Sequence, residues 1–329
     1  MTGTGMTRRG FGLAAAGTLA LGAAGRAARA QGRYPTRAVA VIVPYAPGGS
    51  TDFTARLLAA GLSSELGQQF VIDNRAGAVG TIGANGAARA RPDGYTLLVM
   101  PNTNYAMVPH MMRLPYEPAM LTAVSLLATN GQFLCVAPNV RANTVAEFIA
   151  LAKREPGKLT YSSSGAGSSA HLAAELFIAQ AGLDLVHVPY RGGAPAAQAL
   201  ISNEVQMSMV DAVTALPFIQ ANNFRALAFT GAERSRQAPN VPTVGEAGLA
   251  GFTSSTDFAL FAPAGTPAEI LNQLAEASRK VMTSADARAR MEPLAIEPVG
   301  GTPAEFVAYN ERENAKWRGV ITSRNIRLD

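Results

Sequence analysis

Two segments combine glycine, small hydroxyl side chains and an immediately following helical pattern, a chemistry suited to holding an anion. The first is PYAPGGSTD over residues 44–52, where Gly48 and Gly49 allow close backbone approach and Ser50 and Thr51 add hydroxyls. A helix starting here offers free N–H groups and the positive end of its dipole. The same residues also fit a plain capping turn, with Ser50, Thr51 or Asp52 as the cap. The second segment is SSSGAGSS over residues 162–169, again set between an apolar run and a helical pattern. Two such entries facing one another would make a clamp. Lys and Arg are absent from both, and the chain lacks G-x-x-x-x-G-K-[ST], which disfavours a nucleoside triphosphate.

Catalytic chemistry is less well supported. Gly167 stands where the nucleophile of a G-x-S-x-G elbow should be. A secreted hydrolase would have to use Ser168 or Ser169 with His171 as base, whereas a helix-start histidine bonded to neighbouring backbone is the plainer reading. His110, His171, His187 and the single Cys135 show no metal-ligand spacing, so neither a metal nor a cofactor is expected. Cys135 lies in the apolar run FLCV, which reads as a buried thiol. Gly77, Gly80, Gly83 and Gly86 recur every three residues without forming G-x-G-x-x-G, and read as a loop entering a helix with a small-residue face.

The elements that must position these loops alternate between short β-branched runs and longer helical patterns, as in parallel βαβ units. Strands are expected at 39–43, 70–72, 96–100, 159–162, 185–188, 205–210 and 225–229. Helices are expected over 52–66, from about 169, 194 and 215, and over 267–284 and 303–322. The class is doubly wound α/β. Two further apolar runs, Phe133 to Ala137 and Phe258 to Ala262, each precede a proline and read as two strands crossing between lobes. Lobe 1 is then discontinuous, 31–130 plus 260–329, with the C-terminal helices packed on it, and lobe 2 is 131–259. A chain of 329 residues suits two lobes.

The first thirty residues stand apart from this globule. Arg8, Arg9 and Phe11 precede a small apolar stretch to Gly25 and then Ala28-Arg29-Ala30, the plan of an export signal cleaved near Gln31. The arginine pair resembles a twin-arginine signal, though a general secretory signal also fits. The stretch is too short for the roughly 20 residues of a spanning helix, so stable membrane insertion is not expected. Of the 28 Lys and Arg, four lie in this segment, leaving 24 against 23 Asp and Glu, a formal net of +1. With no basic stripe remaining, nucleic acid is not an expected partner.

Taken in order, YPTR (34–37), PYAPGGSTD (44–52), NRAG (74–77), GTIG (80–83), PDGYTL (92–97), HVPYRG (187–192), VPTV (241–244) and APAGTP (262–267) resemble the Bug-type receptors of tripartite tricarboxylate transporters. The resemblance implies a type II periplasmic binding protein fold, two doubly wound α/β lobes joined by two crossing strands. It implies a non-enzymatic periplasmic receptor that takes a small carboxylate-bearing ligand and presents it to membrane permease subunits; apart from the resemblance, a monomer is the default expectation. A sensory receptor of the same fold is the alternative. Carried onto this chain, the ligand contacts are Tyr45, Pro47, Gly48, Gly49, Ser50, Thr51 and Asp52 in the first loop, and Ser163, Ser164, Gly167, Ser168 and Ser169 in the second. Asn102 and Thr103 follow the third strand and could line a wall. Asp211 orients water or a ligand donor, or else caps the next helix. Many relatives have Trp near 257; Asp257 here is expected to pair with a cationic or hydroxyl group of the ligand, or to be a solvent-facing hinge residue.

Overall fold

A computed structural model describes residues 1–2 and 34–328. The expected export signal, its arginine pair and its cleavage point fall outside the described residues. The strands in chain order are β1 (Val39–Val43), β2 (Phe70–Asn74), β3 (Thr96–Pro101), β4 (Leu121–Val136), β5 (Thr160–Ser163), β6 (Val186–Pro189), β7 (Met207–Asp211), β8 (Arg225–Phe229), β9 (Ser255–Pro263) and β10 (Ile296–Pro298). The helices are α1 (Ser50–Leu66), α2 (Thr81–Ala88), α3 (Asn102–Ala106), α4 (Val145–Arg154), α5 (Ser169–Ala181), α6 (Gly193–Ile201), α7 (Ala212–Gln220), α8 (Ala268–Met282), α9 (Ala285–Met291) and α10 (Pro303–Ser323).

The strands form one path, β2-β1-β3-β9-β4-β7-β5-β6, with β8 and β10 also paired to β4. β4 belongs to both halves of this path. Its stretch Leu121–Gly131 pairs antiparallel with β9, and Gln132–Val136 pairs antiparallel with β7 and β8. On one side β1 lies between β2 and β3 in parallel; on the other, β5 lies between β6 and β7 in parallel. The result is two α/β halves that share β4, as the two-lobe expectation requires.

The period-two alternation of the first half explains its near-continuous apolar strands. Val39, Val41, Val43, Leu97, Val99 and Leu260 enter one layer, with Leu58 and Leu62 of α1 and Leu274 of α8. Ile42, Leu98, Met100 and Phe261 enter the opposite layer, with Ala84 and Ala87 of α2 and Phe306 of α10. Both faces are covered, as a parallel sheet requires. In the second half Phe133, Leu134, Met207 and Tyr161 pack with Leu172 and Phe177 of α5.

Two expectations need correction. Phe133–Val136 and Phe258–Ala262 are strands, but each lies wholly within one half. The passages between halves are the polar residues just ahead of them, Gly131–Gln132 and Ser254–Ser255, where Thr230 Oγ1 accepts from Gln132 N and donates to Ser254 O. The apolar runs mark where a strand is buried on both faces, not where the chain changes lobe. α8 does pack on the first half. α10, however, places Phe306 there and Trp317, Val320 and Ile321 in the core of the second half, so it straps across both.

Candidate functional site

The loop between β1 and α1 is shaped by Asp52. Its carboxylate accepts from Gly48 N (2.9 Å), Arg56 Nε (2.9 Å) and Asn74 Nδ2 (2.9 Å), while Asn74 Nδ2 also reaches Tyr45 O at 3.0 Å. Burial pushes this carboxyl up, but the bonds from Arg56, Gly48 and Asn74 outweigh it and the net shift is downward. Asp52 therefore folds the loop back on itself and does not cap the helix. Gly49 is the N-cap and no side chain caps it, so neither Ser50 nor Thr51 takes that part. The first turn of α1 leaves its N–H groups to whatever lies ahead of it.

Tyr45 reaches across the same half to donate to Asn104 Oδ1 at 2.7 Å, and Asn104 Nδ2 donates to Val79 O at 2.5 Å. Burial pushes the Tyr45 phenol up to about 12, which keeps it a neutral donor. The tie fixes a run of positive φ at Gly77, Ala78, Val79 and Gly80, which is unusual for β-branched Val79.

In the second half, the loop between β5 and α5 is held from within. Ser168 is the N-cap and accepts from His171 N, Gly167 N donates to His171 Nδ1 at 3.1 Å, and Ser163 Oγ lies 2.7 Å from His187 Nε2. Neither Ser168 nor Ser169 meets an imidazole. Ser169 Oγ instead lies 2.8 Å from Thr256 Oγ1, which is 2.9 Å from Asp211 Oδ1; Gln132 Nε2 donates to that same oxygen at 3.3 Å. Thr256 has one proton, so it donates to the carboxylate and accepts from Ser169. Burial pushes the Asp211 carboxyl up, opposed by the bonds from Thr256 and Gln132. Asp211 occupies the position before α7 without capping it.

These parts meet around a cavity of about 440 Å³. Tyr45, Ser50, Thr51 and Thr103 line it from the first half, and Ser164, Gly167, Ser168, Ser169 and Asp211 from the second. Among the described residues its lining has no Lys, Arg or His, and Asp211 is the one acid. Thr103 Oγ1 is buried without a partner among the described residues. So is the whole amide of Asn130, which pairs in register with Thr256 and so shares the face that Thr256 presents to the cavity.

Other expected residues stand elsewhere. Pro47, Gly48 and Gly49 are exposed at the tip of the first loop, outside the lining; Asp52, Asn102 and Ser163 are buried behind it. Asp257 is a correction. It is 2% exposed and accepts from Ser255 Oγ (2.5 Å) and Tyr309 OH (2.6 Å), on the face of β9 opposite Thr256. It is neither solvent-facing nor in the cavity, because adjacent strand residues point to opposite sides. Val79, Asn104, Gly192 and Thr256 line the cavity without having been foreseen. Thr256 was within reach of sequence reasoning, one position from Asp257; Val79 was not, since nothing in its type predicts its backbone.

A second recess, of about 450 Å³, lies behind the passages between halves, lined by Thr129, Gly131, Phe229 and the 230–237 segment. Its Arg234 and Lys316 are already paired, with Glu246 and Glu313. The convergence of unpartnered hydroxyls and helix starts favours the first cavity as the binding site.

Comparison with known proteins bears on this geometry. The family described as tripartite tricarboxylate transporter family receptor matches residues 54–326. Protein BugT of Bordetella pertussis is 35% identical over 301 residues, 90% of this chain and 91% of its own length. Among solved structures, R. palustris Rpa4515 with adipate is 34% identical with a TM-score of 0.82, covering 89% of this chain and 99% of that one. MatC from Rhodopseudomonas palustris with bound malate is 32% identical with a TM-score of 0.78, covering 88% and 100%.

Proposed function

Because the chain belongs to the tripartite tricarboxylate transporter receptor family, of the Bug type, we propose that it is a periplasmic, non-enzymatic receptor. It takes one small carboxylate between its two lobes and delivers it to the permease subunits of a tripartite transporter. The lobes are residues 34–131 with 255–328, and 132–254.

The observation that carries this reading is the lining of the 440 Å³ cavity: two strand-to-helix loops from opposite halves, hydroxyls from both, and no fixed cation. A carboxylate is held there by the first turn of α1, by Ser50 and Thr51, and by the Ser168–Ser169 turn, each a site where N–H and O–H groups face an anion. Asp211, half-buried and already bonded through one oxygen, leaves the other for a ligand hydroxyl, ammonium or bridging water. The carboxylates bound by the two R. palustris proteins support the ligand class. The engagement of Ser168 and Ser169 with His171 N and Thr256 supports the non-enzymatic reading.

A thermal-shift screen of the protein from Gln31 tests it, using mono-, di- and tricarboxylates, amino acids, aromatic acids and neutral sugars. A ligand at 100 times its Kd adds about 2.7 kcal/mol of stability. A carboxylate that stabilises the protein and is recovered unchanged supports the receptor; stabilisation by neutral compounds alone overturns the anion clamp.

A further inference from the structure

Beneath the second loop lies a feature that the binding reading does not use. His171, on the first turn of α5, and His187, on β6, stack with ring centroids 4.0 Å apart and planes 8° apart, and Tyr161 of β5 stacks on His187 at 4.8 Å and 19°. The three come from three different elements, so the stack is a tertiary construction and not a local turn. His171 is 6% exposed.

Each imidazole touches the loop. His187 Nε2 is 2.7 Å from Ser163 Oγ, at the start of residues 163–169. Near its end, the Gly167 amide donates to His171 Nδ1 at 3.1 Å. That bond fixes the protonation state of His171: Nδ1 must carry a lone pair, so the proton sits on Nε2 and the ring is neutral. Gly167 has φ +77, the left-handed region that favours glycine, and the Leu328 side chain lies where a Cβ would stand. Ser168 N donates to Gly165 O, Ser168 Oγ caps His171 N and Ser169 Oγ meets Thr256 Oγ1; the bond from Gly167 N to His171 is the anchor that holds the backbone ahead of Ser168 and Ser169.

We propose that His171 is a positioning residue for the second binding loop: as a neutral imidazole, held by its stack with His187, it fixes the Gly167–Ser169 turn, and its protonation releases that turn. This rests on the reading of the cavity as a carboxylate site, but its structural content can be tested without any ligand.

Burial and the stacking of two imidazoles keep the pair neutral. Glu175 of α5 is the carboxylate that acts on His187, and it is engaged elsewhere, accepting from Tyr161 OH at 2.5 Å and from Arg324 Nε at 2.6 Å. A second imidazole 4.0 Å away makes a cation on either ring costly. Burial pushes both histidines down, each to about 4, with the neighbouring His171 adding to the shift at His187 and Glu175 opposing it.

The test compares the purified wild type with H171N and H171L by 15N NMR of the imidazoles and by hydrogen exchange of the Gly167 amide. Asn presents an acceptor near the place of Nδ1 and does not titrate, whereas Leu presents none. Wild-type His171 is expected as the Nε2–H tautomer at pH 7. Protection at Gly167 is expected to survive in H171N within about twofold and to fall on the order of fivefold or more in H171L, as loss of one hydrogen bond implies. Acidification from pH 6 to pH 4 lowers that protection in the wild type but much less in H171N. A Nδ1–H tautomer, equal protection in H171L, or the same acid loss in H171N would overturn the proposal. If H171L fails to fold, the tautomer and the comparison of wild type with H171N still decide it. The same proteins are then screened with malate and adipate. Stabilisation of none of them counts against the ligand reading of these two acids and leaves the loop result standing, whereas wild-type-like affinity in a folded H171L counts against positioning alone.

Discussion

Replacing Thr256 by Val removes one oxygen from the junction of the two lobes and should cost about 2 kcal/mol. The hydroxyl lies 2.8 Å from Ser169 Oγ and 2.9 Å from Asp211 Oδ1, at a position 5% exposed. A hydrogen bond to a charged group is worth about 1.5–3 kcal/mol and a neutral one about 0.5–1.5. Val returns roughly 0.8 kcal/mol through its extra buried methyl. After the change Asp211 Oδ1 keeps only Gln132 Nε2, at 3.3 Å, and Ser169 Oγ loses its partner. Thermal or urea unfolding at pH 7 should show the loss, at about 2 °C per kcal/mol for a chain of this size. T256S keeps the oxygen and should fall by no more than about 1 kcal/mol, the cost of a methyl. The reasoning is refuted if T256V is as stable as the wild type, or if T256S falls as far as T256V, because then the cost lies in packing and not in the hydroxyl.

Two further predictions concern the same junction. Burial pushes the Asp257 carboxyl up to about 6, against the bonds from Ser255 and Tyr309. A carboxyl whose folded pKa exceeds its unfolded value of about 3.8 binds more protons folded than unfolded, so its contribution to stability falls as pH rises from about 4 to about 6. D257N should therefore gain on the wild type between pH 4 and pH 7, by at most about 3 kcal/mol, and urea titrations at the two pH values will show whether it does. Gly131 stands on β4 where the Phe229 ring occupies the space of any Cβ. G131A should lose about 1–3 kcal/mol through overpacking, whereas G49A, in open space at φ −83, should leave thermal stability unchanged.

Much of the scaffold was legible because its strands are short and β-branched. Val39–Val43 and Arg225–Phe229 have the bounds their composition suggests, and α5 begins at Ser169 as the hydroxyl-rich entry implies. The junction was misread because β4 continues through 16 residues, and its apolar stretch is more conspicuous than the polar Asn130-Gly131-Gln132 where it changes partners. Those three are invisible as a hinge until the register shows Asn130 opposite Thr256 and Gln132 opposite Asp211. Asp257 failed for a simpler reason, a one-residue error of strand face. The histidine stack could not be read at all: His171 and His187 sit on separate elements, and nothing in their spacing signals that the rings meet.

The absence of lysine and arginine from both loops, plain in the sequence, gains a physical meaning from the cavity. A helix start contributes about half an elementary charge, so α1 and α5 together offer roughly one, matched to a single carboxylate. One end belongs to each lobe. With the proposed carboxylate between them, separation of the lobes would halve the attraction it feels, because each dipole acts only within its first turn. A lysine on either loop would instead hold the carboxylate in the open state as well as the closed one. On the proposed function, divided dipoles make affinity depend on closure of the lobes. The two ends are unequally prepared for this: α1 carries no side-chain cap, whereas Ser168 caps α5 and His171 anchors the turn before it. The first lobe therefore supplies the more open N–H groups and the second the more rigid turn, and Thr256 ties that turn to β9 across the junction.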